Sequence, residues 1–252
     1  MKRSERHRLK ENAVALSVAR AREQFELHKL EITAGLVLVV VVLASAGGYG
    51  YWRQQRSASA RAVLAEALFV DQAQVVAPSA PAPGSPATPA SAPVQPPGTF
   101  PTEGAKREAA LQKFLAAANA YPSTQSGIAA RYYAASTLQA LGRTAEAVQQ
   151  YRQVVDQAGN TLYGDAARLG LAEAEAASGR YDAAIAAFRE LALKKDGRIP
   201  ADGVLMQLGR TYAMAGRTSD AIRTYQQLMD QYPRSSYSTL ARREQESLKQ
   251  RG

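Results

Sequence analysis

The stretch "SGRYDAAIAAF", residues 178–188, contains a pattern that the chain repeats on either side. Residues 141–151 read "LGRTAEAVQQY", and residues 215–225 read "AGRTSDAIRTY". In each copy a glycine is followed five residues later by an alanine and nine residues later by an aromatic residue. The interval between copies is 37 residues both times, so the three stretches are successive units of one repeated structure. The three positions hold Gly142, Gly179 and Gly216, then Ala147, Ala184 and Ala221, then Tyr151, Phe188 and Tyr225.

The residues after each glycine predict a helix with one apolar face. In the middle copy, Ala184, Ile185, Phe188 and Leu191 are spaced i, i+1, i+4 and i+7, which places them on one side of an α-helix. A small residue before each glycine lets a second helix pack closely, and the glycine supplies the left-handed backbone that ends this helix. Each unit is therefore predicted to be a helical hairpin that buries its apolar face by stacking on its neighbours. The small residues are Ala135, Ala172 and Gly209.

A fourth, partial copy precedes the three full ones. Counting back by one period reaches Ala110, with Phe114 at the aromatic position and Pro122 corresponding to Pro233 of the last copy. Proline-rich sequence occupies the place of its first helix, so only the second helix is expected.

The predicted fold is an all-α solenoid of antiparallel helix pairs over residues 102–252. It consists of a half repeat, three full repeats and a C-terminal capping helix. Residues 238–252 form this cap and are mostly polar or charged, which keeps the open end of the array soluble.

Composition argues against several functional classes. The chain has 252 residues, a formal net charge of +9 and no cysteine, which excludes disulfides, thiolate metal sites and a cysteine nucleophile. Its arginines alternate with acidic residues and do not form the basic patch that nucleic-acid binding requires. The two histidines, His7 and His28, precede the apolar segment, so the repeats have no imidazole for a Ser-His or Cys-His nucleophile system. We expect no enzyme activity, metal, cofactor, small-molecule substrate or nucleic acid.

One segment is long and apolar enough to span a membrane. Residues 32–52 contain no charged residue and, at about 1.5 Å per residue, form a helix of roughly 31 Å, the thickness of the bilayer hydrocarbon. Tyr49, Tyr51 and Trp52 at its end are typical of the headgroup interface. We predict a single-pass transmembrane helix. The alternatives are a buried core helix and a signal peptide, since Ala44-Ser45-Ala46 has the small residues of a cleavage site.

The flanking charges bear on the orientation of this helix. Close to the membrane these charges favour neither orientation, because three cations precede the helix within about 20 residues and three follow it. The whole tail of residues 1–31 carries eight cations, and a long C-terminal part can cross a membrane largely regardless of its charge. We therefore expect a basic cytoplasmic tail over residues 1–31 and the repeats outside the cytoplasm.

Two segments of different composition connect the membrane helix to the repeats. Residues 53–76 have good helix formers and no breaker, which predicts a helical neck. Residues 77–101 contain nine of the chain's twelve prolines, which predicts an extended Pro/Ala-rich linker that reaches at most about 75 Å. We expect this linker to act as a spacer that holds the repeats off the membrane. A ligand for an SH3-like partner is the alternative.

The last copy resembles the tetratricopeptide repeat (TPR), and it carries that family's pattern in full. The two preceding copies depart from the pattern, with Leu138 and Glu175 where an aromatic is expected and with Gly159 and Asp196 in place of the proline. The period also exceeds the usual length of about 34 residues. The residues that carry the resemblance are Leu205, Leu208, Gly209, Tyr212, Ala221, Tyr225 and Pro233.

The order of basic tail, membrane helix, helical neck and TPR array resembles the ancillary subunit of the SecYEG translocon, although the Pro-rich segment is a departure. This resemblance implies a protein of the bacterial inner membrane whose TPR domain lies in the periplasm. Its implied partners are translocon subunits, periplasmic chaperones or client polypeptides. The long turns between repeats are similar to those of Tol-Pal-associated periplasmic TPR proteins, which implies instead a structural organiser of envelope or cell-division machinery.

In TPR superhelices the first helix of each repeat lines the concave face, so the resemblance also implies a set of partner-binding residues. Their mixed aromatic, apolar and charged character suits an extended peptide or a partner helix. Leu169 and Met206 alternatively pack between repeats, and Tyr132 alternatively belongs to the core. The candidates are Tyr132, Ser136, Gln139, Leu169, Glu173, Met206 and Arg210.

Overall fold

The computed structural model describes residues 29–77, 95–194 and 198–251 of the chain. Over these ranges the regular structure is α-helix, apart from one isolated bridge. The prediction of an all-α solenoid is confirmed. Most of the predicted basic tail, most of the predicted linker and Asp196 lie outside the described residues.

The helices that the structure describes are α1 (Lys29–Asp71), α2 (Glu103–Ala120), α3 (Gln125–Ala140), α4 (Thr144–Ala158), α5 (Leu162–Ala177), α6 (Tyr181–Leu193), α7 (Ala201–Met214), α8 (Thr218–Gln231) and α9 (Tyr237–Arg251). The chain divides into two compact units, Met1–Gln55 and Arg56–Gly252. Helix α1 contributes residues to both units.

In the first unit, the described part of α1 exposes its apolar side chains. Residues 36–43 are eight consecutive leucines and valines, and each is at least 53% exposed. Near them the rings of Tyr49 and Trp52 lie 6.0 Å apart. By length and composition, this is the one helix among the described residues that could cross a membrane. A signal sequence has the same properties, so the helix alone is weak evidence for a membrane anchor.

In the second unit, three turns with the same backbone join the two helices of each full repeat. Gly142, Gly179 and Gly216 have φ of 76°, 76° and 74°, a conformation that only glycine adopts without strain. At each turn the amide after the glycine donates to the carbonyl five residues earlier, as from Arg143 to Leu138 at 2.9 Å. This is the Schellman arrangement that ends a helix. The turns therefore reproduce the 37-residue period in backbone geometry.

The helices stack in chain order, and most of their buried side chains belong to two large apolar clusters. The N-terminal cluster is formed by α2, α3, α4 and one side of α5, with Phe114 and Tyr151 among its large side chains. The C-terminal cluster is formed by the other side of α5 and by α6 to α9, with Phe188 and Tyr225 at the equivalent positions. Helix α5 belongs to both clusters because small alanines on two of its faces let helices approach from either side. The apolar seam is therefore continuous along the array.

The first repeat differs from the half repeat expected from the sequence. Residues 56–71 of α1 pack against α2 and supply the missing first helix. Ala67 is completely buried in the N-terminal cluster, and Val63 and Leu64 pack against alanines of α2 and α3. Glu66 also forms an ion pair with Lys113 at 2.6 Å. Most of the segment predicted as a neck thus lies within the folded repeat unit.

The two ends of the Pro-rich segment lie side by side. Val75 and Phe100 form a parallel bridge, in which the amide of Val76 donates to the carbonyl of Phe100 at 2.9 Å. The side chain of Gln95 donates to the carbonyl of Val76 at 3.2 Å. Val76 and Gln95, on either side of residues 77–94, therefore lie next to each other. This arrangement differs from a spacer, because a spacer would separate the parts of the protein at its two ends.

Candidate concave binding surface

The candidate surface is carried by the first helices of the three full repeats, α3, α5 and α7. Two rows of candidates cross these helices at intervals of one period, four residues apart on each helix. The period therefore places equivalent side chains on adjacent helices, and the four-residue step keeps both rows on one face. The first row is Tyr132, Leu169 and Met206, and the second row is Ser136, Glu173 and Arg210.

The first row becomes more buried along the array. Tyr132 is half-buried, and Leu169 is partly buried against the C-terminal cluster. Met206 is only 1% exposed and belongs to that cluster. Met206 therefore packs between repeats, which is the alternative that the sequence left open for it. At the α7 end, this row offers a partner little accessible surface.

The second row remains accessible on all three helices. Ser136 is exposed, and Glu173 and Arg210 are half-buried. Arg210 is 3.8 Å from Glu244 of α9, a contact in which both side chains are 41% exposed. Gln139 lies next to this row and accepts a hydrogen bond from the hydroxyl of Tyr151 at 3.2 Å. A partner in the groove would contact this second row directly.

Four tyrosines form a cluster at the α3 end of the surface, and two of them were not recognised from the sequence. The ring of Tyr132 lies 6.0 Å from Tyr151, 5.7 Å from Tyr163 and 5.6 Å from Tyr133. Tyr133 also stacks on Phe114 at 5.4 Å. We call Tyr132, Tyr133, Tyr151 and Tyr163 the tyrosine cluster. Tyr151 is buried and the other three are half-buried, so the cluster joins the core to the surface.

The polar groups around the cluster have shifted pKa values. Burial raises the pKa of Tyr132, and the neighbouring Tyr133 and the carboxylate of Glu173 raise it further. Burial also raises the pKa of Tyr151, with Tyr132 and Glu173 adding to the effect and a hydrogen bond with Ser136 opposing it. Both phenols are therefore neutral near pH 7.

Among the described residues, no cation forms an ion pair with Glu173, whereas the two buried acidic residues of α5, Asp165 and Glu175, each form ion pairs. Burial raises the pKa of Glu173, opposed only by a long hydrogen bond of 3.4 Å from Gln207. Asp165, by contrast, is 1% exposed and lies within 3.2 Å of Arg168, Lys194 and Arg198. Burial alone would raise the pKa of Asp165, but these three cations outweigh it and hold the pKa below its usual value.

Glu175 is compensated in the same way. It is 5% exposed and forms ion pairs with Arg152, at 2.8 Å, and with Arg180. It occupies the position where the last repeat has Tyr212, over whose ring Arg217 lies at 4.8 Å from the centroid. At this position an arginine of the turn therefore pairs with a carboxylate in one repeat and with an aromatic ring in the next.

A second concavity lies between α6, α7 and α8. It has a volume of about 450 Å³, with Leu205, Leu208 and Tyr212 among its lining residues. Arg217 and Arg223 also line it, and both form ion pairs with Asp220. Most of its charged groups are thus already paired with one another. In the part of the chain that the structure describes, no group of three or more metal-ligating side chains was found.

Comparison with known proteins agrees with this geometry. Two models of the tetratricopeptide repeat match the chain, one over residues 132–203 and the other over residues 204–235. Residues 132–235 form a TPR array. The match covers α4 to α8 and the C-terminal half of α3, and the resemblance to TPR proteins is confirmed for this part of the chain. The TPR fold is typically a non-catalytic scaffold for protein–protein interaction.

Solved structures show the same fold at low sequence identity. The crystal structure of a candidate kinesin light chain from Podosopora anserina, with nearly identical TPR-like repeats, is 18% identical to this chain with a TM-score of 0.50. The match covers 57% of this chain and 78% of that one. A second structure of the same repeats is 19% identical, with the same TM-score and the same coverage. At this level the likeness concerns the fold alone. No curated protein matches the chain significantly.

Proposed function

We propose that this chain is a single-pass membrane protein that displays a TPR scaffold outside the cytoplasm and binds protein partners there. One observation carries the membrane part of this proposal. Residues 36–43 expose eight consecutive aliphatic side chains in a segment without charge from residue 32 to residue 52. Withdrawing them from water is worth on the order of 10 kcal/mol. A bilayer provides that environment along residues 32–52.

The topology is tested by protease accessibility in intact spheroplasts. With residues 1–31 in the cytoplasm, added protease removes the TPR unit and leaves a protected fragment that contains the tail and the membrane helix. Protection of the whole chain would contradict both the orientation and the envelope function. The size of the chain recovered from membranes also tests the signal-peptide alternative, because cleavage after Ala46 shortens it by 46 residues.

Within the envelope, we propose that the partners are translocon subunits or periplasmic chaperones and their clients. The support for this finer proposal is the resemblance in domain order to the ancillary translocon subunit. The TPR array supports protein binding in general, and the accessible second row supplies the contact surface.

Site-specific photocrosslinking tests the partner class. A crosslinking amino acid at Ser136 or Arg210 samples the second row, and the same group at Gln153, an exposed position of α4, is the control. We expect translocon subunits or chaperones at the first two positions and neither at the third. Recovery of cell-wall or Tol-Pal components would favour the structural organiser, and identical products at all three positions would contradict recognition by the concave surface.

A further inference from the structure

The tyrosine cluster and Glu173 together form a site of specific chemistry on the concave surface. Three acidic side chains of α5 are withdrawn from water, and two of them are surrounded by cations of this chain. Among the described residues, no cation forms an ion pair with Glu173. A carboxylate that has lost part of its hydration without gaining a cation is stabilised by any cation that reaches it.

The groups beside Glu173 favour a cation over other ligands. Tyr132 packs against Tyr151 with ring centroids 6.0 Å apart, and the ring of Tyr151 lies against Gly170 of α5, three residues before Glu173. Tyr132 is half-buried and belongs to a cluster of four rings. The face of an aromatic ring attracts a cation through its quadrupole, and more strongly where water is partly excluded. Gln207 and Gln139 add only neutral polar groups. A cation bound at this end of the groove would therefore meet both ring faces and an uncompensated carboxylate.

We propose that the site formed by Tyr132 and Glu173 binds a basic side chain of an extended segment of the partner protein, with arginine preferred to lysine. This inference rests on the proposed function of the concave surface as a protein-binding groove. A guanidinium group stacks flat on a tyrosine ring while two of its N–H groups donate to one carboxylate. An ammonium group makes the ionic contact but lacks the planar stacking surface, so lysine binds more weakly.

The Arg210 end of the same row limits the choice of partner. Arg210 carries the opposite charge one helix further along the groove, where it contacts Glu244 at 3.8 Å. Adjacent packed helices lie about 8–10 Å apart, which an extended peptide spans in about three residues. A uniformly basic segment would therefore place a second cation near Arg210. The groove selects a single basic residue in a mixed sequence rather than a run of basic residues.

Peptide binding by the full chain tests the proposal. The chain is placed in nanodiscs of zwitterionic phosphatidylcholine, so that lipid charge does not attract basic peptides. The probes are five pools of fluorescent 12-residue peptides with randomised flanks and a fixed central arginine, lysine, citrulline, glutamine or glutamate. Citrulline has nearly the shape of arginine without its charge. We expect the arginine pool to bind about tenfold more tightly than the citrulline pool.

Variants identify the residues responsible. Glu173→Gln should reduce the arginine preference to within about twofold, and Tyr132→Leu should reduce it about threefold while affecting the citrulline pool less. Glu190→Gln removes an exposed carboxylate of α6 and should leave the preference unchanged. Circular dichroism verifies that each variant remains helical.

The outcomes separate the inference from the proposed function. If the pools bind equally, or if the preference survives Glu173→Gln, the inference is overturned while a peptide-binding groove remains. If no pool binds to the wild-type chain, both the inference and the proposed role of the concave surface are overturned. A preference that is lost in Glu173→Gln and kept in Glu190→Gln supports the inference.

Discussion

The first and last repeats of the array bury the same kind of apolar seam, but they are assembled from different parts of the chain. In the last repeat, α7 and α8 are consecutive and are joined by the turn at Gly216. In the first repeat, α2 packs against residues 56–71, and residues 72–102 lie between the two helices along the chain. A first helix with a suitable apolar face can therefore complete a TPR-like repeat, even when a long segment separates it from the second helix.

The two end repeats also differ in the helices that lie next to them along the chain. Its first helix is the C-terminal part of α1, whose N-terminal part carries the exposed apolar segment. Helix α1 therefore supplies residues both to the proposed membrane segment and to the first repeat. In the last repeat, by contrast, the open end is covered by the separate helix α9. The two ends of the array thus have different structural roles.

The largest expected effect comes from removing the first helix of the first repeat. A fragment of residues 102–252 leaves Leu111 and Phe114, both fully buried in the whole chain, without their covering helix. We expect its free energy of unfolding to be lower than that of residues 56–252 by at least about 3 kcal/mol, the cost of losing one large buried side chain. Urea unfolding followed by circular dichroism measures the difference.

A matched truncation at the other end is the control for this experiment. Removing α9 takes away only two buried residues, Ala241 and Gln245, and should cost less. Equal unfolding midpoints for residues 102–252 and 56–252 would show that the packing of α1 does not contribute to the stability of the array.

The next effect concerns the ion pairs of Asp165, which join the start of α5 to the segment between α6 and α7. Asp165→Asn removes the negative charge that holds Arg168, Lys194 and Arg198 together. We expect a loss of about 1–3 kcal/mol at pH 7, less than for a fully buried pair because the three cations are partly exposed. The loss should be accompanied by increased proteolysis between α6 and α7.

The same substitution predicts a pH dependence with a definite sign. The folded-state pKa of Asp165 lies below its ordinary value because its three cations outweigh the effect of burial. The stabilisation is therefore complete above the unfolded-state pKa, near 4, and is lost as the pH falls through the folded-state pKa. Urea midpoints of wild type and Asp165→Asn should converge below about pH 4. A difference that stays constant from pH 7 to pH 3 would contradict the ion-pair explanation.

Smaller effects are expected at two glycines of the first helices, each of which packs against the aromatic ring of a second helix. A Cβ atom at Gly209 would lie 2.4 Å from the ring of Tyr225, and one at Gly170 would lie 2.5 Å from the ring of Tyr151. We expect Gly209→Ala and Gly170→Ala each to cost about 1 kcal/mol, since overpacking exceeds the gain in helix propensity. At Gly203 the nearest atom is 3.6 Å away. Gly203→Ala should therefore be neutral or slightly stabilising, and thermal unfolding distinguishes the three variants.

Much of the repeat unit could be predicted because its determinants are local. The glycine turns and the aromatic residues at Tyr151, Phe188 and Tyr225 follow from spacing alone, and the structure places them in equivalent surroundings. The resemblance to TPR proteins implied the residues of both rows, which the period relates to one another. The period could not distinguish the accessible Glu173 from the buried Met206, because burial depends on how neighbouring helices close over each position.

The packing of α1 on the first repeat could not be read from the period, because this helix lies outside it. A weaker signal was present: Ala60, Leu64 and Ala67 are spaced i, i+4 and i+7, as on the buried face of a helix. Tyr133 and Tyr163 were missed for a similar reason. They occupy different positions within their repeats, and only the fold brings their rings to 6.3 Å.

The smallest expected effect tests whether the Pro-rich segment is a closed loop. In a fragment of residues 56–252, replacing residues 78–94 by a Gly/Ser stretch of equal length should change the free energy of unfolding by less than about 0.5 kcal/mol if the segment makes no stabilising contacts. A stretch of half that length should raise it by about 0.6 kcal/mol, because folding brings Val76 and Gln95 together and a shorter loop loses less entropy on closure. A spacer whose ends lie apart has no closure entropy to recover. Stability independent of the length of the replacement would therefore contradict the closed loop and restore the spacer.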